Sequence, residues 1–144
     1  MVFITACDKT DNVINNSSYS VTYSFMHNLS EYTLKPNSSD YYNKRLRLDN
    51  YSAIPPRVSY TNDYKTIEFF NTPAREIKII NNIDRDVFIT AQGCIDNEPV
   101  IIPANSDVTE NIYNNTPTIY GITIDGFMIK CTLSKDGQSV IINW

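Results

Sequence analysis

The chain has 144 residues, with 12 Lys and Arg against 16 Asp and Glu, a formal charge of −4 and a pI near 4.8. That balance excludes a general polyanion binder, because nonspecific nucleic-acid affinity comes from clustered Lys and Arg that neutralise phosphates. No apolar run approaches the roughly eighteen residues of a spanning helix, and scarce Ala with abundant Ile, Thr and Tyr favours strands over helices.

The chain opens on Val2-Phe3-Ile4-Thr5-Ala6-Cys7-Asp8, a short apolar run ending in small residues and a cysteine. Read as residues alone, this is a first strand with Cys7 as a small buried hydrophobe. Ile4-Thr5-Ala6-Cys7 also resembles the lipobox of bacterial lipoproteins, in which small side chains admit the segment to a protease cleft and the cysteine is acylated. The resemblance covers these four residues and implies lipidation at Cys7, anchoring in a bacterial envelope, and a retention signal at Asp8. The charged leader and most of the apolar stretch are missing ahead of the motif, so it also implies a start upstream of Met1 or a trimmed terminus. Two acyl chains would bury enough methylenes for stable anchoring.

Alternation with a period of two follows. Tyr19, Val21, Tyr23 and Phe25 alternate with Ser20, Thr22 and Ser24, and Leu46 and Leu48 alternate with Arg45, Arg47 and Asp49. Val87, Ile89 and Ala91 likewise alternate with Asp86, Phe88 and Thr90. Further strands are predicted near 32–34, 57–61, 66–70, 76–80, 99–102, 108–113, 119–124, 128–133 and 139–143, about twelve in all. Asp125-Gly126 and Asp136-Gly137 predict tight hairpins, since both central residues accept positive φ.

The chain also repeats itself. Ile14-Asn15-Asn16 returns as Ile80-Asn81-Asn82, and Pro36-Asn37-Ser38-Ser39-Asp40 returns as Pro103-Ala104-Asn105-Ser106-Asp107, at offsets of 66 and 67. Phe69-Phe70-Asn71 against Ile141-Ile142-Asn143 gives a third match, at an offset of 72. The fold class expected is therefore all-β, an Ig-like β-sandwich built from two duplicated halves. The segments are a tether or first strand over 1–12, a first repeat over 13–72 and a second over 73–144, joined at Asn71-Thr72-Pro73-Ala74 and packed as one joint sandwich. The halves differ in surface: the first, residues 1–72, has seven basic and seven acidic residues, the second five and nine.

The best candidate binding surface is Tyr41, Tyr42, Arg45, Arg47, Tyr51 and Arg57, with Tyr60 and Tyr64 following. Tyrosine faces beside guanidinium donors suit sugar rings or protein partners. The competing reading packs several of these tyrosines into the core edge. With Cys7 lipidated, Cys94 and Cys131 remain as a possible disulfide, or as two buried thiols. No metal site is expected, since the single His27 completes no zinc spacing. No catalytic set is expected either: no Gly-x-Ser-x-Gly elbow or Gly-rich phosphate loop occurs, and no cofactor is implied. Of the acid pairs, Asp40 with Asp107 is singled out only by its place in the repeat, and such turn residues are normally solvated caps. Sequons at Asn15, Asn16, Asn28, Asn37, Asn50 and Asn114 arise easily in so Asn-rich a chain.

The expected function is a non-catalytic envelope lipoprotein that binds or scaffolds a protein or glycan partner. The alternative is a secreted or viral β-sandwich without lipid that serves a structural or host-interaction role. A carbohydrate-active enzyme comes last.

Overall fold

The computed structural model describes residues 11–42, 46–63, 65–114 and 117–144. They form strands and no helix: β1 (Asp11–Asn15), β2 (Val21–Phe25), β3 (Glu31–Leu34), β4 (Ser38–Tyr42), β5 (Leu48–Ala53), β6 (Val58–Asn62), β7 (Thr66–Asn71), β8 (Arg75–Asn81), β9 (Val87–Thr90), β10 (Val100–Ile102), β11 (Asp107–Ile112), β12 (Tyr120–Thr123), β13 (Met128–Leu133) and β14 (Ser139–Asn143). Most lie where alternation places them. β1 and β4 do not, because their inward positions carry Asp11 and Asn15 in one and Ser38 and Asp40 in the other.

The chain divides into two compact units, one holding β1–β7, the other comprising Pro55–Arg57 together with Thr72–Trp144. Each has its own core. In the first unit the sheet β4-β1-β7-β6 faces the sheet β3-β2-β5, and Val13, Ile67 and Phe69 from one meet Val21, Tyr23, Phe25 and Leu34 from the other. In the second unit β11-β8-β14-β13 and β10-β9-β12 repeat that order around Ile77, Ile79, Val140 and Ile142 on one side and Val87, Ile89 and Ile102 on the other.

The duplication is thus seven strands copied in order. The first and last strands of each copy pair in parallel, β1 with β7 and β8 with β14. The two-layer architecture is Ig-like, while this strand order differs from that of an antibody constant domain. One joint separates the copies. In the second, β12 and β13 pair through the hairpin predicted at Asp125-Gly126, with Gly126 at φ 92°, so its strands run as one seven-stranded sheet. In the first, Pro55 and Pro56 stand at the matching connection, and proline has no N–H for a ladder, so β5 and β6 remain in separate sheets.

Register corrects the sequence alignment by one residue at two anchors. Asn37 and Asn105 are the residues at positive φ, 55° and 49°, and Ser38 Oγ donates to the Lys35 carbonyl at 2.6 Å as Ser106 Oγ donates to that of Pro103 at 2.7 Å. The offset there is 68, so Pro36 and Pro103 are not counterparts. Phe69 likewise corresponds to Ile142, each opposite the conserved-in-place Asn15 or Asn81, an offset of 73.

Candidate binding face

The tyrosines of the first half mostly serve its core. Tyr23 is buried, and its hydroxyl meets that of Tyr42 at 2.6 Å and donates to Asp40 Oδ2 at 3.2 Å. Burial pushes both phenols up from their ordinary range, and for Tyr23 the Tyr42 contact adds to the rise. Tyr51 packs 5.3 Å from the Phe69 ring and 5.2 Å from that of Tyr60, its hydroxyl donates to the Val58 carbonyl at 3.2 Å, and burial raises its pKa too.

The described residues nominated from sequence stand in different settings. Tyr42 and Tyr51 give their rings to the core. Tyr41 is 71 % exposed, and Arg47 is exposed with its carbonyl accepting from Met26 N at 2.9 Å. Arg57 belongs to the second unit, where its guanidinium donates to the carbonyls of Gly93 (2.9 Å) and Ile95 (3.3 Å), pairs with Asp96 at 3.1 Å and lies 4.3 Å over the Tyr113 ring. Arg45, Tyr64 and Cys7 lie outside the described residues. Asp40 and Asp107 fall in different units, Asp107 paired with Lys78 at 3.3 Å.

Cys94 and Cys131 are free, not the possible disulfide. They pack at separate places in the second core, Cys94 Sγ 3.9 Å from the Pro56 carbonyl and Cys131 Sγ against Gly121. Burial pushes the Cys131 thiol up to about 11 and raises that of Cys94 as well.

The outer face of the second unit's smaller layer is where the copies part. Register aligns Ile101, Phe88, Ile122 and Met128 in one row across β10, β9, β12 and β13. Their neighbours on the strands, among them Val87, Ile89, Ile102 and Ile129, point into the core, so these four point out. Ile101 is 54 % exposed, Ile122 43 % and Met128 80 %. Phe88, Pro99, Tyr120, Ile122 and Met128 line a groove of about 410 Å³ here. Exposed apolar surface continues onto the hairpin at Ile124 and Phe127, where the Arg85 guanidinium pairs with Asp125 and lies 5.8 Å from the Phe127 ring and 5.2 Å from that of Trp144.

In the first unit the matching row is Thr33, Thr22 and Ser52. Thr22 and Thr33 join hydroxyls at 3.2 Å, and a depression of similar size there, about 430 Å³, is lined by Ser18, Thr22, Pro36 and Ser52. The same scaffold carries a polar row in one copy and an apolar row in the other.

Glu98 shapes the groove's far edge. Its carboxylate accepts from Thr90 Oγ1 (2.8 Å) and from the backbone N–H of Ala91 (3.1 Å), Gly93 (2.9 Å) and Ile95 (2.9 Å), gathering the β9–β10 connection beside Pro99. Partial burial acts to raise its pKa, but these donors outweigh it and hold the carboxyl below the usual range.

Sequence reading passed over this row although a signal was present. Val87-Phe88-Ile89 and Phe127-Met128-Ile129 set large apolar residues at successive positions, which puts one on each face of a strand. No family model and no curated protein matches the chain. Among solved structures it is similar to two B repeat units of the collagen-binding protein CNA of Staphylococcus aureus, at 10 % identity and a TM-score of 0.32. That match covers 92 % of this chain and 48 % of the other, so the chain spans about half of that structure's length.

Proposed function

We propose that the protein is a non-catalytic binding module that presents the outer face of β10, β9, β12 and β13 to a protein partner, tethered to a bacterial envelope through a lipidated Cys7. The observation that carries the binding role is the replacement of Thr22, Thr33 and Ser52 by Phe88, Ile101 and Ile122 at matching positions. A sandwich that folds with the polar row in one copy has no packing need for the apolar row in the other, and contiguous exposed apolar surface marks interaction sites. A band of aliphatic side chains with one phenylalanine suits a protein surface better than a glycan, whose hydroxyls need directional polar partners. The tether rests on the lipobox resemblance alone.

The test is a comparison of the native chain with the variant Phe88→Thr/Ile101→Thr/Ile122→Ser as bait in envelope extracts. A partner held by the first and released by the second supports the face as the site. A partner held equally by both overturns it. Mass spectrometry of natively produced protein addresses the tether independently, and an unmodified Cys7 in the mature chain removes it.

A further inference from the structure

If the apolar row is the binding face, the charges that border it narrow what it binds. The turn before β9 carries Asp84, Arg85 and Asp86, the β12–β13 hairpin carries Asp125, the β9–β10 connection carries Glu98, and β13 carries Lys130. Four carboxylates thus stand against two cations. Arg85 and Asp125 neutralise each other, with the Arg85 guanidinium also over the Phe127 and Trp144 rings, which leaves Asp84, Asp86 and Glu98 against Lys130. Glu98 is kept ionised by its four donors. The hairpin end of the row and its Pro99 end are therefore both acidic, with the apolar side chains between them.

We propose that the occupant is an apolar segment of a partner protein flanked on both sides by lysine or arginine. Laid along β9 and β12, such a segment runs from the 84–86 turn to Glu98, whose carboxylate accepts from Thr90 and Ala91; the five steps from Asp86 to Ala91 at about 3.4 Å make roughly 17 Å, a span that about five extended residues cover. Cations just beyond such a segment then fall near Asp84 and Asp86 at one end and Glu98 at the other. Like charges placed across an interface select against the wrong partner. The half that bears the row has nine acidic and five basic residues, so a second copy of this face or an anionic lipid surface meets repulsion where a basic-flanked segment meets attraction.

The experiment uses the full chain and two fluorescent peptides with the same centre, Ile-Phe-Val-Phe-Ile, one flanked at both ends by Lys-Lys and the other by Glu-Glu. Anisotropy at about 50 mM salt, where screening reaches beyond 10 Å, should show the lysine peptide bound at least ~10-fold more tightly than the glutamate peptide. The advantage should shrink several-fold at about 500 mM. Replacing the exposed Asp84 (Asp84→Lys) should narrow it at low salt, and Phe88→Thr/Ile101→Thr/Ile122→Ser should abolish binding of both peptides. Equal binding of the two peptides, lost in the row variant, overturns the charge preference and leaves the binding face standing. Binding that the row variant keeps overturns both. Failure of either peptide to bind overturns the inference, with the extract comparison deciding the face separately. Row-dependent self-association in sedimentation, or row-dependent binding to phosphatidylglycerol vesicles, would name a different occupant and also overturn it.

Discussion

Asn15 and Asn81 are the same residue twice. Each is buried at the end of the first strand of its copy, and each amide shares its two N–H groups among three carbonyls within 3.1 Å: Tyr19, Leu34 and Lys35 for Asn15, and Arg85, Ile102 and Pro103 for Asn81. Each side-chain oxygen accepts a backbone N–H two residues on, from Ser17 and from Ile83. One side chain thus ties the strand's end to the following turn and to the end of the third strand.

Replacing Asn81 with alanine leaves those carbonyls and the Ile83 N–H without their bonds. A buried unsatisfied polar group costs about 1–3 kcal/mol, and some of these groups can regain water, so a total loss of ~3 kcal/mol is expected. Trp144 is the chain's one tryptophan and lies in the second unit, so urea unfolding followed by its emission measures the effect there. A loss below ~1 kcal/mol would mean that the amide is dispensable.

Glu98 gives the second unit an acid-sensitive contact. Its folded pKa lies below its ordinary value of 4.5, so its stabilisation is present above about pH 4.5 and is lost as pH falls through the lower folded value. Glu98→Gln removes the charge-assisted bonds and should cost ~2 kcal/mol at pH 7, with the difference from the native chain shrinking steadily as pH is lowered below about 4.5. Urea midpoints at several pH values test this. A difference that stays constant across the range contradicts it.

How much of this was legible in the sequence depended on where the information lay. Alternation at Tyr19 to Phe25 exposed β2 directly, and Asp125-Gly126 located a hairpin, because both signals are local. β1 and β4 were hidden because Asp11, Asn15 and Asp40 stand at half-buried or buried positions that pattern reading assigns to solvent. The repeat was visible, but matching Pro36 to Pro103 by identity put the alignment one residue off, where the positive φ of Asn37 and Asn105 marks the true equivalence. The surplus of tyrosine in the first half looked like a surface and is largely a core, since Tyr23, Phe25 and Phe69 fill places that Ile89, Ala91 and Ile142 fill in the second. The row from Ile101 to Met128 showed only as adjacent large apolar residues such as Val87-Phe88-Ile89, and its assembly was hidden because its members come from four strands whose order in the sheet is not their order in the chain.

Gly121 is tightly packed in the second core. A Cβ built there comes within 2.8 Å of Cys131 Sγ and 3.1 Å of Ile89 Cδ1. Gly121→Ala should therefore destabilise by about 1–3 kcal/mol through overpacking, and adding Cys131→Ala should recover most of it by vacating the sulfur's place. A double-mutant cycle in urea measures the coupling. Additive effects would show that the glycine is required for another reason.

The two free thiols predict slow chemistry. Thiolate is the reactive form, and burial holds the Cys131 thiol at about 11 and raises that of Cys94, so neither is appreciably ionised near pH 8. In a Cys7→Ala chain, a thiol reagent should titrate both cysteines after denaturation without any reductant, and neither within minutes in the folded state. A denatured chain without free thiols would restore the disulfide.

Exchanging the apolar row for its polar counterpart separates stability from binding. Phe88, Ile101, Ile122 and Met128 point outward, and the first unit folds with Thr22, Thr33 and Ser52 at three of these places. Threonine and serine lose some cross-strand apolar contact, and threonine keeps good strand propensity. Phe88→Thr/Ile101→Thr/Ile122→Ser should therefore change the unfolding free energy by no more than about 1.5 kcal/mol, far less than the same three truncations would cost in a core, where each removes about 2–5 kcal/mol. Retention on a phenyl column should fall clearly in the same variant. A loss of core-like size would mean that the row is packed against something in the folded chain, and the exposed face would have to be given up as a site for partners.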